Sequence, residues 1–420
     1  MSRPRARESR NPPGARTMIR SSSLIPCIAL SVAALLPLQV RAQEQSALAR
    51  IRPAMQEFVE KQDIAGAVTV VGTSKGILSL EAVGKANLET DQPMRKDALF
   101  RIASMTKPIT AIGIMILSDE GKLSVDDPVE KHLPEFKGQM VVARKDGDTI
   151  TLKKPSRPIT IRDLLTHTSG LQGHYGPGLS DLYARRNRTL AEGVLYVSQR
   201  PLEFEPGEKW AYCNAGIDAL GRIMEVVSGQ SYEDFLRTRV FQPLGMLDTT
   251  FYPSPEQRER LAVTYDKKDG KLVAAPNTLI GVLPQARHPI PAGGLCSTAG
   301  DLAKLYQMML NGGQLDGKQI LKQESVGEMT RVQTNDKQTG FVPGMGFGYG
   351  WAVVRKPEGV TAMLSPGSYG HGGAFGTQGW LDPQKDLFVV LLIQRVGLPN
   401  ADASQMRETL QKLAVEGARK

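Results

Sequence analysis

From Pro108 to Leu117 the chain reads PITAIGIMIL, apolar on nearly every side of a helix. A helix with no polar face cannot lie at a surface, so this one has to be buried in the middle of the fold. Pro108 is tolerated only near a helix start, which places that start at about Ser104, and Gly121 ends the helix. With 420 residues, 41% of them hydrophobic and 23% charged, the chain is long enough to bury such a helix, in one large domain with inserted parts or in two ordinary ones.

The other elements are arranged around it. Leu48, Ile51, Met55, Phe58 and Val59 fall at helical spacing and make an amphipathic first helix over Ser46–Lys61. Ala67–Val71 and Ile77–Val83 read as two strands joined by a hairpin turn at Thr73–Gly76. Three capping-box starts follow, at Thr160–Asp163, Thr189–Glu192 and Ser231–Asp234. Two β-like runs within Met140–Leu152 flank Asp146-Gly147 and suggest an inserted hairpin. A helix capped by Ser297 or Thr298 runs to Leu310, and Gly312-Gly313 stops it. Strands return at Tyr349–Val354, Gly376–Leu381 and Leu387–Ile393, before a last helix over about Ala403–Val415. The expected fold class is α/β (α+β): an antiparallel sheet built from both termini, flanked by helices, with an inserted mainly helical region. The α/β part would cover about 43–107 and 335–420, and the helical part about 108–334.

Residues 1–42 read as a signal peptide. Arg16 and Arg20 precede the mostly apolar Leu24–Val40, and Val40-Arg41-Ala42 fits small-x-small cleavage. Met18 is an alternative start. The expectation is an exported, periplasmic or secreted protein with no membrane span after cleavage. Residues 1–42 hold seven Arg and one Glu, so they carry six of the nine net positive charges. The remaining chain is close to neutral and shows no basic stripe with interleaved aromatics, which argues against a nucleic-acid partner. Of the three cysteines, Cys27 lies in the leader; Cys213 and Cys296 are expected as buried free thiols, with a disulfide as the alternative. No C-x-x-C or H-E-x-x-H occurs and the five His are scattered, so neither a metal nor any other cofactor is expected.

Two serines compete as a nucleophile. Gly72-Thr73-Ser74-Lys75-Gly76 matches the G-x-S-x-G elbow, but that motif needs a sharp strand-to-helix turn. Ser74 sits in a hairpin turn instead, which makes it a decoy. Ser104-Met105-Thr106-Lys107 is the chain's single S-x-x-K, and it lies at the start of the apolar helix. Residues i and i+3 share a helix face. The helix N-terminus favours an oxyanion and disfavours a charged lysine, and burial pushes the lysine the same way. A neutral amine can take a serine proton. The competing reading is a Ser cap with an exposed Lys.

Tyr212-Cys213-Asn214 forms a Y-x-N, and His371-Gly372-Gly373 supplies glycines at a strand edge where backbone can approach a substrate. With these in place the chain resembles the serine β-lactamase and penicillin-binding-protein superfamily, and within it the class C β-lactamases and the family VIII carboxylesterases. S-x-x-K comes early, Y-x-N in mid-chain, and H-G-G where lactamases carry K-T-G. LLTHTSGL (Leu164–Leu171) and PAGGLCSTAGDLAKL (Pro291–Leu305) are also similar to that family, and the likeness covers about residues 50–418. It implies Ser104 as the acylated nucleophile, Lys107 as its base, Tyr212 as proton shuttle, and Asn214 orienting Lys107 or the substrate. The backbone N–H groups of Ser104 and Ala374 would form the oxyanion hole.

One position departs from that pattern. Where lactamases hold a lysine against a substrate carboxylate, this chain has His371, largely neutral at pH 7 and gaining charge toward pH 6. The expected activity is therefore an esterase acting on neutral or short-chain esters, its partner a small-molecule ester or amide. The alternatives are a β-lactamase or D-amino-acid peptidase, or a sensor of penicillin or wall peptide that acylates without turnover. His167 and His174 are expected to be structural rather than to line the site mouth.

Overall fold

The computed structural model describes residues 47–176, 178–275, 280–283 and 285–418. The leader expectation for residues 1–42 lies outside them. Both ends of the described chain enter one antiparallel sheet. Its strands are β1 (Gly66–Thr73), β2 (Gly76–Asn87), β3 (Gln92–Pro93), β4 (Met345–Phe347), β5 (Ala352–Val354), β6 (Tyr369–Gly372), β7 (Gln378–Asp382) and β8 (Leu387–Leu392). The order across the sheet is β4-β5-β6-β7-β8-β1-β2-β3. The C-terminal β8 pairs with the N-terminal β1, Val68 opposite Leu392 and Val70 opposite Val390. The seam between the two ends of the chain thus lies inside the sheet.

Both faces of that seam are covered, which is why its strands carry apolar residues on both faces, Thr69 being the polar exception, rather than at alternate positions. Val68, Val70, Phe388, Val390 and Leu392 point into the main core. Ala67, Val71, Leu387, Val389 and Leu391 point the other way, against Ile51 and Met55 of helix α1 (Ile51–Glu60).

Helix α2 (Thr106–Asp119) follows a 3-10 turn at Ala103–Met105. Every residue from Thr106 to Leu117 is buried, as the all-round apolar pattern requires. Helix α3 (Asn214–Ser228) crosses it in close contact: a Cβ on Gly113 would lie 2.3 Å from Met224 Cε. The polar side chains of α2 are satisfied by the segment before helix α4 (Ala299–Leu310). Thr110 Oγ1 donates to Pro291 O (2.8 Å), and Thr106 Oγ1 accepts from Leu295 N (3.3 Å). PAGGL therefore runs along the first turns of α2 as its hydrogen-bonding partner. Helix α5 (Gln405–Gly417) closes the chain.

Thr160 and Thr189 form complete capping boxes with Asp163 and Glu192. Ser231 accepts from Asp234 N (3.1 Å), and Thr298, not Ser297, caps α4. Boundaries shift where glycine takes the left-handed region. The inserted hairpin pairs Val141–Asp146 with Thr149–Lys153, so its turn is Gly147-Asp148, one residue later than expected, with Gly147 at φ +57°. Tyr349–Val354 is not one strand. Gly350, at φ +75°, turns the chain against Ala111 of α2 and separates β4 from β5.

The fold depends on α2 being packed on all sides. We predict that Ile112→Ala lowers unfolding free energy by about 2–5 kcal/mol, the cost of a core cavity at a site with no room to collapse. Urea unfolding of both proteins measures it.

Candidate active site

Ser104 sits in the 3-10 turn that opens α2, half-buried, after Ala103 at φ +46°. A non-glycine residue in the left-handed region costs on the order of 1–3 kcal/mol and persists only where its surroundings enforce it. Here they do. Ile102 N donates to Leu295 O (3.0 Å), and Ile102 O accepts from Thr377 Oγ1 (3.2 Å). The turn holding Ser104 is pinned from two elements.

Lys107 is fully buried, so the exposed-lysine reading of S-x-x-K does not hold. Its Nζ donates to Ser104 Oγ (3.0 Å) and to Ala292 O (2.7 Å), and lies 4.6 Å from the centre of the Tyr212 ring. Burial pulls the amine down to about 7, partly opposed by Asp218 and Cys213. At neutral pH a substantial fraction is neutral and can accept the Ser104 proton.

The Y-x-N strip runs over the LLTHTSGL segment. Ala211 N donates to His167 O (2.9 Å), Asn214 N to Gly173 O (3.2 Å) and Cys213 N to His167 Nδ1 (3.1 Å). The buried His167 ring lies under Tyr212, ring centres 4.6 Å apart. Burial holds it well below its usual pKa, and Nδ1, as acceptor, leaves the ring hydrogen on Nε2. His174 is exposed on the surface. Burial pushes the Tyr212 hydroxyl up, with the Ser104 side chain opposing it, so Tyr212 keeps its proton at pH 7. Among the described residues no hydrogen bond joins Asn214 to Lys107 (whose amine is taken by Ser104 and Ala292), and Asn214 lines the pocket. Cys213 and Cys296 are buried free thiols, raised by burial to about 12 and about 11.

His371 and Gly372 end β6, paired with Gly379 and Gln378 of β7. Gly373 is where the sheet edge meets the nucleophile turn: a Cβ there would lie 2.5 Å from Ile102 O. Its N–H donates to Thr377 O (2.8 Å), and Gly376 N returns to Gly373 O (2.9 Å). Ala374 is left exposed at the tip of this tight turn. Ser104, Tyr212, Asn214, His371, Gly372, Gly373 and Ala374 all border one open pocket of about 460 Å³. Burial, with Lys107 nearby, pulls His371 down to about 4, so the ring is neutral at pH 6 as well as at pH 8. The expected gain of charge near pH 6 is thereby corrected: the ring is desolvated.

Three groups escaped the sequence reading. Asp218 is fully buried on α3 and accepts from Tyr175 (2.9 Å), Tyr183 (2.6 Å) and Ala292 N (3.1 Å). It holds Ala292, the residue whose carbonyl receives Lys107, and burial raises its carboxyl to about 6. Its place four residues after Asn214, one helical turn along the same face, was the available signal. Phe341, in a loop, and Asp402, in the 3-10 turn Ala401–Ala403, also line the pocket and belong to no motif.

A family model described as Beta-lactamase matches residues 51–413. The chain belongs to the β-lactamase family and is a serine hydrolase of that family. It is 31% identical to esterase EstB of Burkholderia gladioli over 394 residues, 86% of this chain and 94% of that one. It is 32% identical to penicillin-binding protein 4 of Amycolatopsis lactamdurans over 298 residues, 71% of each. Among solved structures it is similar to EstCE1, a hydrolase with promiscuous acyltransferase activity, at TM-score 0.72 and 26% identity, covering 89% of this chain and 98% of that one.

The geometry around Lys107 makes a pH profile informative. With the neutral amine as the candidate proton acceptor, hydrolysis should rise with pH through about 7 and level off above about 8. An ordinary lysine would keep rates climbing beyond pH 9. Lys107→Ala and Tyr212→Phe should each lower kcat by roughly two to four decades, the range for a positioned acid or base. Circular dichroism on both variants checks that the fold is retained.

Proposed function

We propose that the chain is an exported esterase that works through an acyl-enzyme on Ser104 and acts on neutral, short-chain esters. The observation that carries the acyl-enzyme reading is the 3.0 Å contact between a buried Lys107 amine and the Ser104 hydroxyl. Lys107 takes the hydroxyl proton while Oγ bonds to the ester carbonyl carbon. The resulting oxyanion is met by the N–H groups of Ser104 and Ala374, the kind of stabilisation that dominates acyl transfer. The C–O bond to the alcohol then breaks, and the alcohol leaves with a proton passed through Tyr212. Water, deprotonated by the same pair, attacks the acyl-enzyme and releases the acid. Lys107 rather than Tyr212 is the base, because burial keeps the phenol protonated at pH 7. No step draws on a cofactor.

Preference for neutral esters rests on His371, a neutral ring where β-lactam-binding relatives carry a lysine. The likeness to esterase EstB supports the same reading. Export rests on the leader at residues 1–42, ahead of a catalytic domain at 43–420; among the described residues no helix is long and apolar enough to cross a membrane.

Ser104→Ala should abolish hydrolysis of nitrophenyl acetate and butyrate, and a serine-reactive phosphonate should label Ser104. Ser74→Ala should stay near wild type. Ser74 lies in the β1–β2 turn, its hydroxyl bonded to Asp386 Oδ2 at 2.9 Å. Labelling of Ser74 would overturn the assignment.

A second experiment addresses specificity. His371→Lys should raise kcat/KM for a cephalosporin relative to nitrophenyl butyrate by about one to two decades, since a charge-assisted hydrogen bond is worth roughly 1.5–3 kcal/mol. In the wild type the same ratio should not change between pH 6 and pH 8, because the ring is neutral at both.

A further inference from the structure

We infer that this pocket selects esters whose leaving alcohol carries an ammonium group, and that Asp402 is the residue that reads it. The inference rests on the esterase reading and adds a substrate class to it. Among the described residues that border the pocket holding Ser104, Asp402 is the one carboxylate, and no Lys or Arg joins it. Its Oδ1 lies against Gly372, where a Cβ would come within 2.0 Å of it, and accepts from Gln378 Nε2 (3.0 Å). Its backbone is held as well: its N–H donates to Asn400 Oδ1 (3.0 Å) and its carbonyl accepts from Arg407 Nη1 (2.6 Å). Among the described residues Oδ2 has no hydrogen-bond partner. The carboxylate is fixed at one oxygen and available at the other.

His371 adds a second acceptor. Its Nδ1 lies 2.6 Å from Gly372 O, a carbonyl that can only accept, so Nδ1 carries the ring hydrogen. In the neutral ring Nε2 is then a bare lone pair, buried and without a protein partner. The positions that would present a cation to an anionic substrate present two acceptors instead. In this reading the leaving group lies on the side of the pocket bordered by His371 and Asp402. Tyr212, which hands the proton to the departing alcohol, has its ring centre 6.1 Å from that of His371. The cation near Asp402 is Arg407. Arg407 as a whole is 1% exposed; its guanidinium is stacked 3.9 Å from the centre of the Trp380 ring and bonded to Gln411 and the Asp402 carbonyl, and Arg407 does not border the pocket that holds Ser104.

Three thioesters of matched shape test this: acetylthiocholine, 3,3-dimethylbutyl thioacetate and 3-(acetylthio)propionate, with released thiol as the readout. Wild type should favour the ammonium ester over its neutral isostere by about five- to thirtyfold in kcat/KM, and disfavour the carboxylate. The ammonium preference should shrink as ionic strength rises. Asp402→Asn should bring all three ratios close to one another, whatever its rate on the neutral ester. A wild-type preference for the carboxylate would assign control of the pocket to Arg407 and overturn the inference. So would equal losses on all three esters in the variant, which a purely structural Asp402 would produce. Labelling of Ser104 by phosphonates with choline-like or neutral leaving groups, followed by mass spectrometry, reads the same selectivity without turnover. Faster choline-like labelling in an enzyme that hydrolyses none of the esters would sink the esterase reading and keep this one; equal labelling rates would sink this one.

Discussion

The Lys107 amine has been taken entirely out of water and given two acceptors, the Ser104 hydroxyl and the Ala292 carbonyl. A buried ammonium costs several kcal/mol unless it is paired, and no carboxylate touches this one directly. The structure resolves the cost by lowering the affinity of the amine for its proton, which is the condition the chemistry needs. Much of the surrounding architecture serves that burial. Helix α2 has to be sealed on every side. PAGGL has to run alongside its first turns to supply the carbonyl. Asp218, held by two tyrosines, fixes the residue that carries it. Folding and function are aligned at this group: between about pH 7 and its unfolded value the unfolded chain binds more protons, so the group's contribution to stability grows as pH rises, together with the fraction of neutral amine.

The same economy of charge extends across the pocket. His167, His371 and Tyr212 are neutral at pH 7, each because burial penalises its charged form. Their rings stack into one aromatic wall with Phe347, which also packs edge-on against His167 and His371. That wall carries no charge at pH 7. It leaves Asp402 as the full charge in view of a substrate.

Much of this was legible in the sequence. PITAIGIMIL demanded a buried central helix because no face of it could meet water, and S-x-x-K at its start pointed to a buried lysine while leaving an exposed one as the competing reading. The capping boxes at Thr160 and Thr189 announced their helices through side chains acting three residues away, an interaction contained within the local sequence. Ser74 was recognisable as a turn residue because strand patterns lie on both sides of it. These are short-range facts: periodicity, capping and turn chemistry act over a handful of residues.

Other features were decided by contacts between distant segments. Gly350 had to turn against Ala111, and that broke a run that reads as one strand. The His371 ring was known to lack the charge of lysine, but its burial and its hydrogen bond to Gly372 O set how far its titration moves and which nitrogen carries the hydrogen. Asp218 and Asp402 carry no motif, since a carboxylate becomes part of a site only when the fold brings the right peptide or glycine against it. Residue identity and local spacing determined the helix and singled out Ser104 and Lys107 as candidates. Tertiary packing decided solvation, and solvation sets the charge of each group, because the work of removing a charge from water depends on everything that surrounds it rather than on its neighbours in the chain.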